Sequence, residues 1–167
     1  MPKTYTAAGS ATAGDVYTAS AHNVIVTDVN NLIVPPIVIV RRAANQSIAN
    51  NSIDIVSFDT EDVDTDGCFA ATSTNITIQT TGVYHINAIV AFASNTAGGR
   101  DIGIRKNGTI EFASGSNPNV NFAMNTNITG HLSLTASDVI TLYAYQNSGG
   151  ALNATARLSL AWIGRTS

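Results

Sequence analysis

From about residue 37 onward, apolar and polar positions alternate in short runs, the period expected of half-buried strands. Ile37-Val38-Ile39-Val40 and Ile53-Asp54-Ile55-Val56-Ser57-Phe58 are the first candidate strands, and Asn75-Ile76-Thr77-Ile78 is another. After Gly82, the residues Tyr84, Ile86, Ala88, Val90 and Phe92 fall on one face of a strand, with His85 and Asn87 opposite. Ile102 and Ile104 lead into Asn107-Gly108, a pair that tolerates positive φ and so predicts a tight hairpin returning through Ile110 and Phe112. Ile128, Gly130, Leu132 and Leu134 alternate up to Thr135-Ala136-Ser137-Asp138. Val139 to Gln146 places Ile140, Leu142 and Ala144 on one side and Thr141, Tyr143 and Tyr145 on the other. Leu158, Leu160 and Trp162 give the last alternation. Eight to ten such strands predict an all-β, two-sheet sandwich of the jelly-roll type.

The first 34 residues differ. Ala7-Ala8-Gly9-Ser10-Ala11 is too poor in large apolar groups to fold alone, whereas His22, Ile25, Val26, Val29, Leu32 and Ile33 recur at helical spacing. Thr18 or Ser20 would cap that helix, and the β-branched run Val24-Ile25-Val26-Thr27 opposes it. Pro35-Pro36 forms a stiff hinge. The expected organisation is an arm over residues 1–34 and a head over 35–167, with Tyr17, Ile25, Val26, Val29 and Leu32 as the arm's docking side chains.

Composition narrows the function. Charged residues are only 11% of the chain, and the polar surface is built mainly from the neutral side chains of Asn, Thr and Ser. A net charge of -3 with scattered basic residues argues against nucleic-acid binding. The run Ile33 to Val40 is too short to span a bilayer and is interrupted by the two prolines, so no membrane insertion is expected. The N-terminus lacks the apolar core of a secretory signal, which implies synthesis in the cytoplasm. Sequons such as Asn75-Ile76-Thr77 then follow from an Asn- and Thr-rich composition. The one cysteine, Cys68, excludes an internal disulfide and reads as a small buried apolar group.

Candidate chemistry is sparse. Asp59, Glu61, Asp62, Asp64 and Asp66 are five of the eleven acids, and Asp62-x-Asp64-x-Asp66-Gly67 matches the first half of a calcium loop. The bidentate position would fall on Ser73 and no helices flank the loop, so the pattern is not an EF-hand. A calcium ion held by Asp62, Asp64 and Asp66 competes with a solvated acidic loop. His22, His85 and His131 occupy different segments and match no metal-binding spacing. A triad from a serine, His131 and Asp138 has no motif behind it, and there is no nucleophile elbow or phosphate loop. The chain is therefore expected not to be an enzyme. Asn95, Arg100, Asn117, Asn119 and Asn147 lie in the candidate tip loops, where amides suit hydrogen bonding to a sugar or protein and equally make turns.

Several of these runs carry a resemblance. Gly82-Val83-Tyr84-His85-Ile86, Phe92-Ala93-Ser94-Asn95, Arg105-Lys106-Asn107-Gly108, Leu134 to Tyr143, Gln146 to Gly150 and Leu158 to Gly164 occur in the order seen in the C1q and tumour-necrosis-factor-like heads, which the chain resembles over roughly residues 38–164. Ser137 departs from that pattern, which usually has Gly before the Asp, and there is no collagen-like stalk. The resemblance implies a ten-stranded jelly roll assembled as a homotrimer about a three-fold axis. Tyr84, Phe92, Tyr143 and Tyr145 are the candidates for that axis, the head's own core being the ordinary place for each. Ala13-Gly14-Asp15-Val16-Tyr17-Thr18-Ala19 followed by Asn23 resembles an N-terminal segment of tailed-bacteriophage structural proteins. Together the two imply a virion surface protein. It would be a minor tail or tail-tip protein adhering to a host glycan or protein, or else a capsid decoration protein on lattice three-fold positions. A free C1q-like lectin is a third class.

Overall fold

The computed structural model describes residues 18–116 and 123–166; within the first helix it does not describe the side chains of Val24, Thr27, Asp28, Asn31 and Leu32. Helix α1 spans Ala19–Ile33. Thr18 caps it, its hydroxyl accepting from the Ala21 N–H at 3.2 Å, and the helix ends where the Val34 N–H donates to the Asn30 carbonyl at 2.8 Å. Pro35-Pro36 lack the amide protons to continue it. The helical spacing thus outweighs the β-branched run at Val24–Thr27.

Ten strands follow. They are β1 (Ile37–Ile48), β2 (Ser52–Ile55), β3 (Thr60–Asp64), β4 (Ile76–Thr77), β5 (Gly82–Phe92), β6 (Arg100–Lys106), β7 (Thr109–Ser116), β8 (Met124–Leu134), β9 (Val139–Gln146) and β10 (Leu152–Gly164). One antiparallel sheet has the order β3-β1-β10-β5-β8; the other has the order β2-β9-β6-β7, with β4 also on β9. The chain crosses back and forth between the two sheets, which makes this a jelly-roll sandwich, and the sequence expectation of ten strands in two sheets holds.

The core lies where the inward rows meet. Tyr84, Ile86, Ala88, Val90 and Phe92 of β5 are essentially inaccessible, as are Ile102, Ile104, Ile140, Leu142, Leu158 and Leu160. Each fully buried aliphatic side chain contributes about 1.5–3 kcal/mol of transfer free energy. Cys68 is buried with them, and desolvation pushes its thiol up to about 11, so it is a packing residue. The β6–β7 hairpin turns at Asn107 (φ 50°) and Gly108 (φ 85°), both left-handed as a type I′ turn requires. The Asn107 side chain fastens that turn to the start of β9. Its Nδ2 donates to Asp138 at 2.7 Å, and its Oδ1 accepts from the Val139 N–H at 2.8 Å.

Candidate functional site

The acidic stretch is a strand edge. Thr60–Asp64 form β3 on the rim of the first sheet, and three of the stretch's carboxylates, Asp59, Asp62 and Asp64, each hold separate partners. Asp59 accepts from the N–H groups of Ala43 and Ala44 at 2.8 and 3.0 Å and pairs with Arg42 at 3.5 Å. Those two N–H groups hold its carboxyl at about 2, and the three bonds pin the irregular stretch of β1 between Arg42 and Gln46. Asp62, at the irregularity of the β1–β3 pairing, takes Arg41 in a three-bond grip of 2.6–2.9 Å, which lowers its pKa. Asp64 accepts from the N–H groups of Asp66 and Phe69, closing a turn. The calcium expectation for Asp62, Asp64 and Asp66 is therefore corrected. Among the described residues no three His, Cys, Asp or Glu groups gather around a common point, and an arginine neutralises Asp62 instead.

The proposed axis aromatics are also placed elsewhere. Tyr84 and Phe92 belong to the core of the single chain, with 1% of each exposed. Burial raises the pKa of Tyr84, whose hydroxyl donates to the Thr80 carbonyl at 2.6 Å. Tyr143 faces out from the second sheet but is covered. Its ring lies on Gly103, where an added Cβ would sit 2.1 Å from a ring carbon. The Arg105 guanidinium lies 5.2 Å from the ring centre, and the hydroxyl donates to Asp101 at 3.2 Å. Tyr145 is half-buried at the tip and donates to the Asn51 amide oxygen at 3.3 Å. Alternation showed which residues share a face but not which face turns inward; Tyr84 and Phe92 took the inward one, and Tyr143 and Tyr145 the other.

At the tip, three of the sequence candidates come together. Gly98 (φ 68°) lies against the Asn147 backbone, and the Gly99 N–H donates to the Asn147 amide oxygen. Asn95 closes its own turn by accepting from the Ala97 N–H at 2.8 Å. Arg100 is 2% exposed and thus no ligand contact. It donates to the carbonyls of Ala97 and Gly99 at 3.0 Å and of Asn95 at 3.2 Å, above the Phe92 ring. This corrects its reading as a tip contact: it is the internal brace of the loop. A cleft of about 330 Å³ beside it is lined by Asp101, Ser116, Tyr145 and Asn147 among others. Asn117 and Asn119 lie outside the described residues, and Ser114–Ser116 belong to β7.

Sequence reasoning missed Gln146, whose side chain is wholly buried at the head of the same loop. Its amide nitrogen donates to the carbonyls of Ile48 and Gly150, and its oxygen accepts from the N–H and hydroxyl of Ser148. A polar residue on the inward side of β9 was the available signal. His131 and Asp138 do not form a triad. Asp138 is engaged by Lys106, Asn107 and the Thr135 N–H, while His131 faces out from the first sheet.

That outer face carries few charges, Arg41 and Arg157 among them. The pairing register sets Ile37, Ala161, His85 and His131 side by side across four strands. The next row holds Ile39, Ser159, Asn87 and Thr129. Beyond it come Arg41, Arg157, Ile89 and Asn127, beside a cleft of about 420 Å³. Ile89 and, at the β3 edge, Val63 are well exposed. No acid lies in these rows, the nearest being Asp62 on Arg41. In α1, Ile25, Val26 and Val29 are each more than 40% exposed; Leu32 also lies in the helix, and Tyr17 lies outside the described residues. Among the described residues, no helix is long and apolar enough to cross a membrane.

Neither a family model nor a curated protein matches the sequence. Solved structures do match the fold. The globular domain of zebrafish complement 1qA protein superposes with a TM-score of 0.63 at 14% identity, covering 78% of this chain and 99% of that one. The PRD1 phage vertex protein P5 gives 0.60 at 16% identity, covering 77% and 97%. Murine APRIL gives 0.50 at 16%, covering 72% and 97%. The portion superposed spans nearly the whole of each of those domains, and the chain carries the C1q and tumour-necrosis-factor-like jelly-roll fold.

Proposed function

We propose that this chain is a non-enzymatic surface protein of a virus particle, working as a homotrimer. The head would be displayed, and residues 1–34 would dock on a neighbouring virion protein. The observation that carries the reading is the likeness of the head to the PRD1 phage vertex protein P5 over nearly the whole of that chain. Self-association is supported by the two rows Ile37-Ala161-His85-His131 and Ile39-Ser159-Asn87-Thr129 on the outer face of the β3-β1-β10-β5-β8 sheet, where small and apolar side chains are interleaved with amide, hydroxyl and imidazole groups and no arginine or acid. Its apolar members gain from burial, and the absence of charge matches the composition of interface centres. Docking is supported by α1, whose Ile25, Val26, Val29 and Ile33 are exposed and whose apolar stripe needs a covering partner. Three copies would present three such helices together, so that weak contacts add through effective concentration.

Two positions on the particle have separate support. The resemblance of the arm to tailed-phage segments favours a minor tail or tail-tip protein that adheres to a host glycan or protein. The likeness to a vertex protein favours decoration of the capsid. Immunogold electron microscopy of intact particles with an antibody against the head tests the reading. Label at the tail supports adhesion, and label on the capsid supports decoration. A complete absence of label on particles overturns the virion assignment.

A further inference from the structure

We propose that His85 and His131 form a two-imidazole site for a borderline transition-metal cation such as Zn²⁺, Ni²⁺ or Cu²⁺. The two residues are direct cross-strand partners on β5 and β8, on the outer face of the first sheet. Their ring centres are 5.2 Å apart with the planes tilted by 52°. A zinc ion about 2.1 Å from each ligating nitrogen lies about 3.2 Å from each ring centre, and a tetrahedral angle then separates the two centres by about 5.2 Å. The observed ring separation matches that of a tetrahedral chelate, and strand pairing rather than a flexible loop sets it.

The surroundings fit the role. His85 Nε2 lies 3.0 Å from the Thr129 hydroxyl. In the tautomer whose Nε2–H donates to that oxygen, Nδ1 keeps the lone pair for the metal, and the contact holds the ring's rotation. The remaining side chains of the two central rows, Ile37, Ala161, Ile39, Ser159 and Asn87, carry no charge to repel a cation. Among the described residues no third His, Cys, Asp or Glu joins the pair. Water, or a donor from a second copy where the face is covered, completes the shell. The site lies within one chain and goes beyond the self-association reading, which it does not require.

The test uses the untagged full chain, produced with Zn²⁺ in the medium so that the metal reaches the face before any covering. Metal content is then read by mass spectrometry, and affinity by Zn²⁺ titration after chelator treatment. Expected are one zinc per chain, a raised melting temperature, and no response to Mg²⁺ or Ca²⁺, which prefer oxygen donors. His85→Ala and His131→Ala should each weaken binding at least about tenfold, and Thr129→Val by about tenfold through loss of the orienting hydrogen bond. His22→Ala should leave it unchanged. Zinc binding that survives both His85→Ala and His131→Ala, or no zinc uptake by the unaltered chain, overturns the proposal. The oligomer mass of the same samples is read separately, so failure of self-association is not confused with failure of the site.

Discussion

Gln146 is the residue whose replacement tests the energetics of the tip most sharply. Its side chain has no exposure, and it satisfies two carbonyls and two groups of Ser148 from the end of β9. Gln146→Leu keeps the approximate volume and removes every polar atom. The Ile48 carbonyl belongs to a residue with no exposure, and losing its partner costs about 1–3 kcal/mol. Ser148 is half-buried and Gly150 exposed, so water replaces part of what they lose, about 0.5–1 kcal/mol each. Apolar burial of the leucine returns about 1 kcal/mol. The net loss is about 2 kcal/mol, larger than that of Ile140→Val, a one-methylene core truncation costing about 1 kcal/mol. Urea unfolding followed through Trp162 fluorescence, at one fixed protein concentration, measures both. A loss for Gln146→Leu well below that of Ile140→Val would refute the claim that this amide is the internal link between β1, β9 and the tip loop.

Other outcomes follow from the same structure. Asp59 has its pKa lowered from 3.8 to about 2, chiefly by the Ala43 and Ala44 N–H groups, so its contribution is complete above the unfolded value and is lost as pH falls through the folded one. Asp59→Asn should therefore cost about 1–2 kcal/mol at neutral pH, and the gap to the unaltered chain should close between about pH 4 and pH 2 in acid titrations followed by circular dichroism. Ser137 sits at φ 78°, and Ser137→Gly should raise stability by about 0.5 kcal/mol in urea, the relief of left-handed strain exceeding the added entropy of the unfolded glycine. Arg100→Met should lower stability by about 2 kcal/mol and quicken amide exchange across Asn95–Gly99, whose carbonyls lose their brace. Ile89→Asp, at an exposed position, should leave the fold intact while reducing the solution mass to that of a single chain.

Much of this architecture was legible in the residues because its signals are local. The five-residue apolar row of β5 is the core row of the structure, and Asn107-Gly108 turns with the backbone its chemistry demands. Ser137, the departure from the family pattern, adopts the positive φ that glycine would take without strain. What stayed hidden depends on pairing between distant segments. Asp62 read as a cation ligand until β3 brought Arg41 beside it, twenty-one residues away in sequence. Arg100 read as a surface contact because only the folded loop aims three carbonyls at its guanidinium. His85 and His131 match no spacing motif, yet the register of β5 on β8 sets them opposite one another. Charge and amide content do not encode such partners; the strand order does.

The proposed working form is three copies of the chain joined through the outer face of the β3-β1-β10-β5-β8 sheet. Light scattering on the full chain during gel filtration tests it most directly. A single species at three times the 17.4 kDa chain mass, persisting on dilution into the nanomolar range, is expected. A stable species at 17.4 kDa across the same concentrations would contradict it.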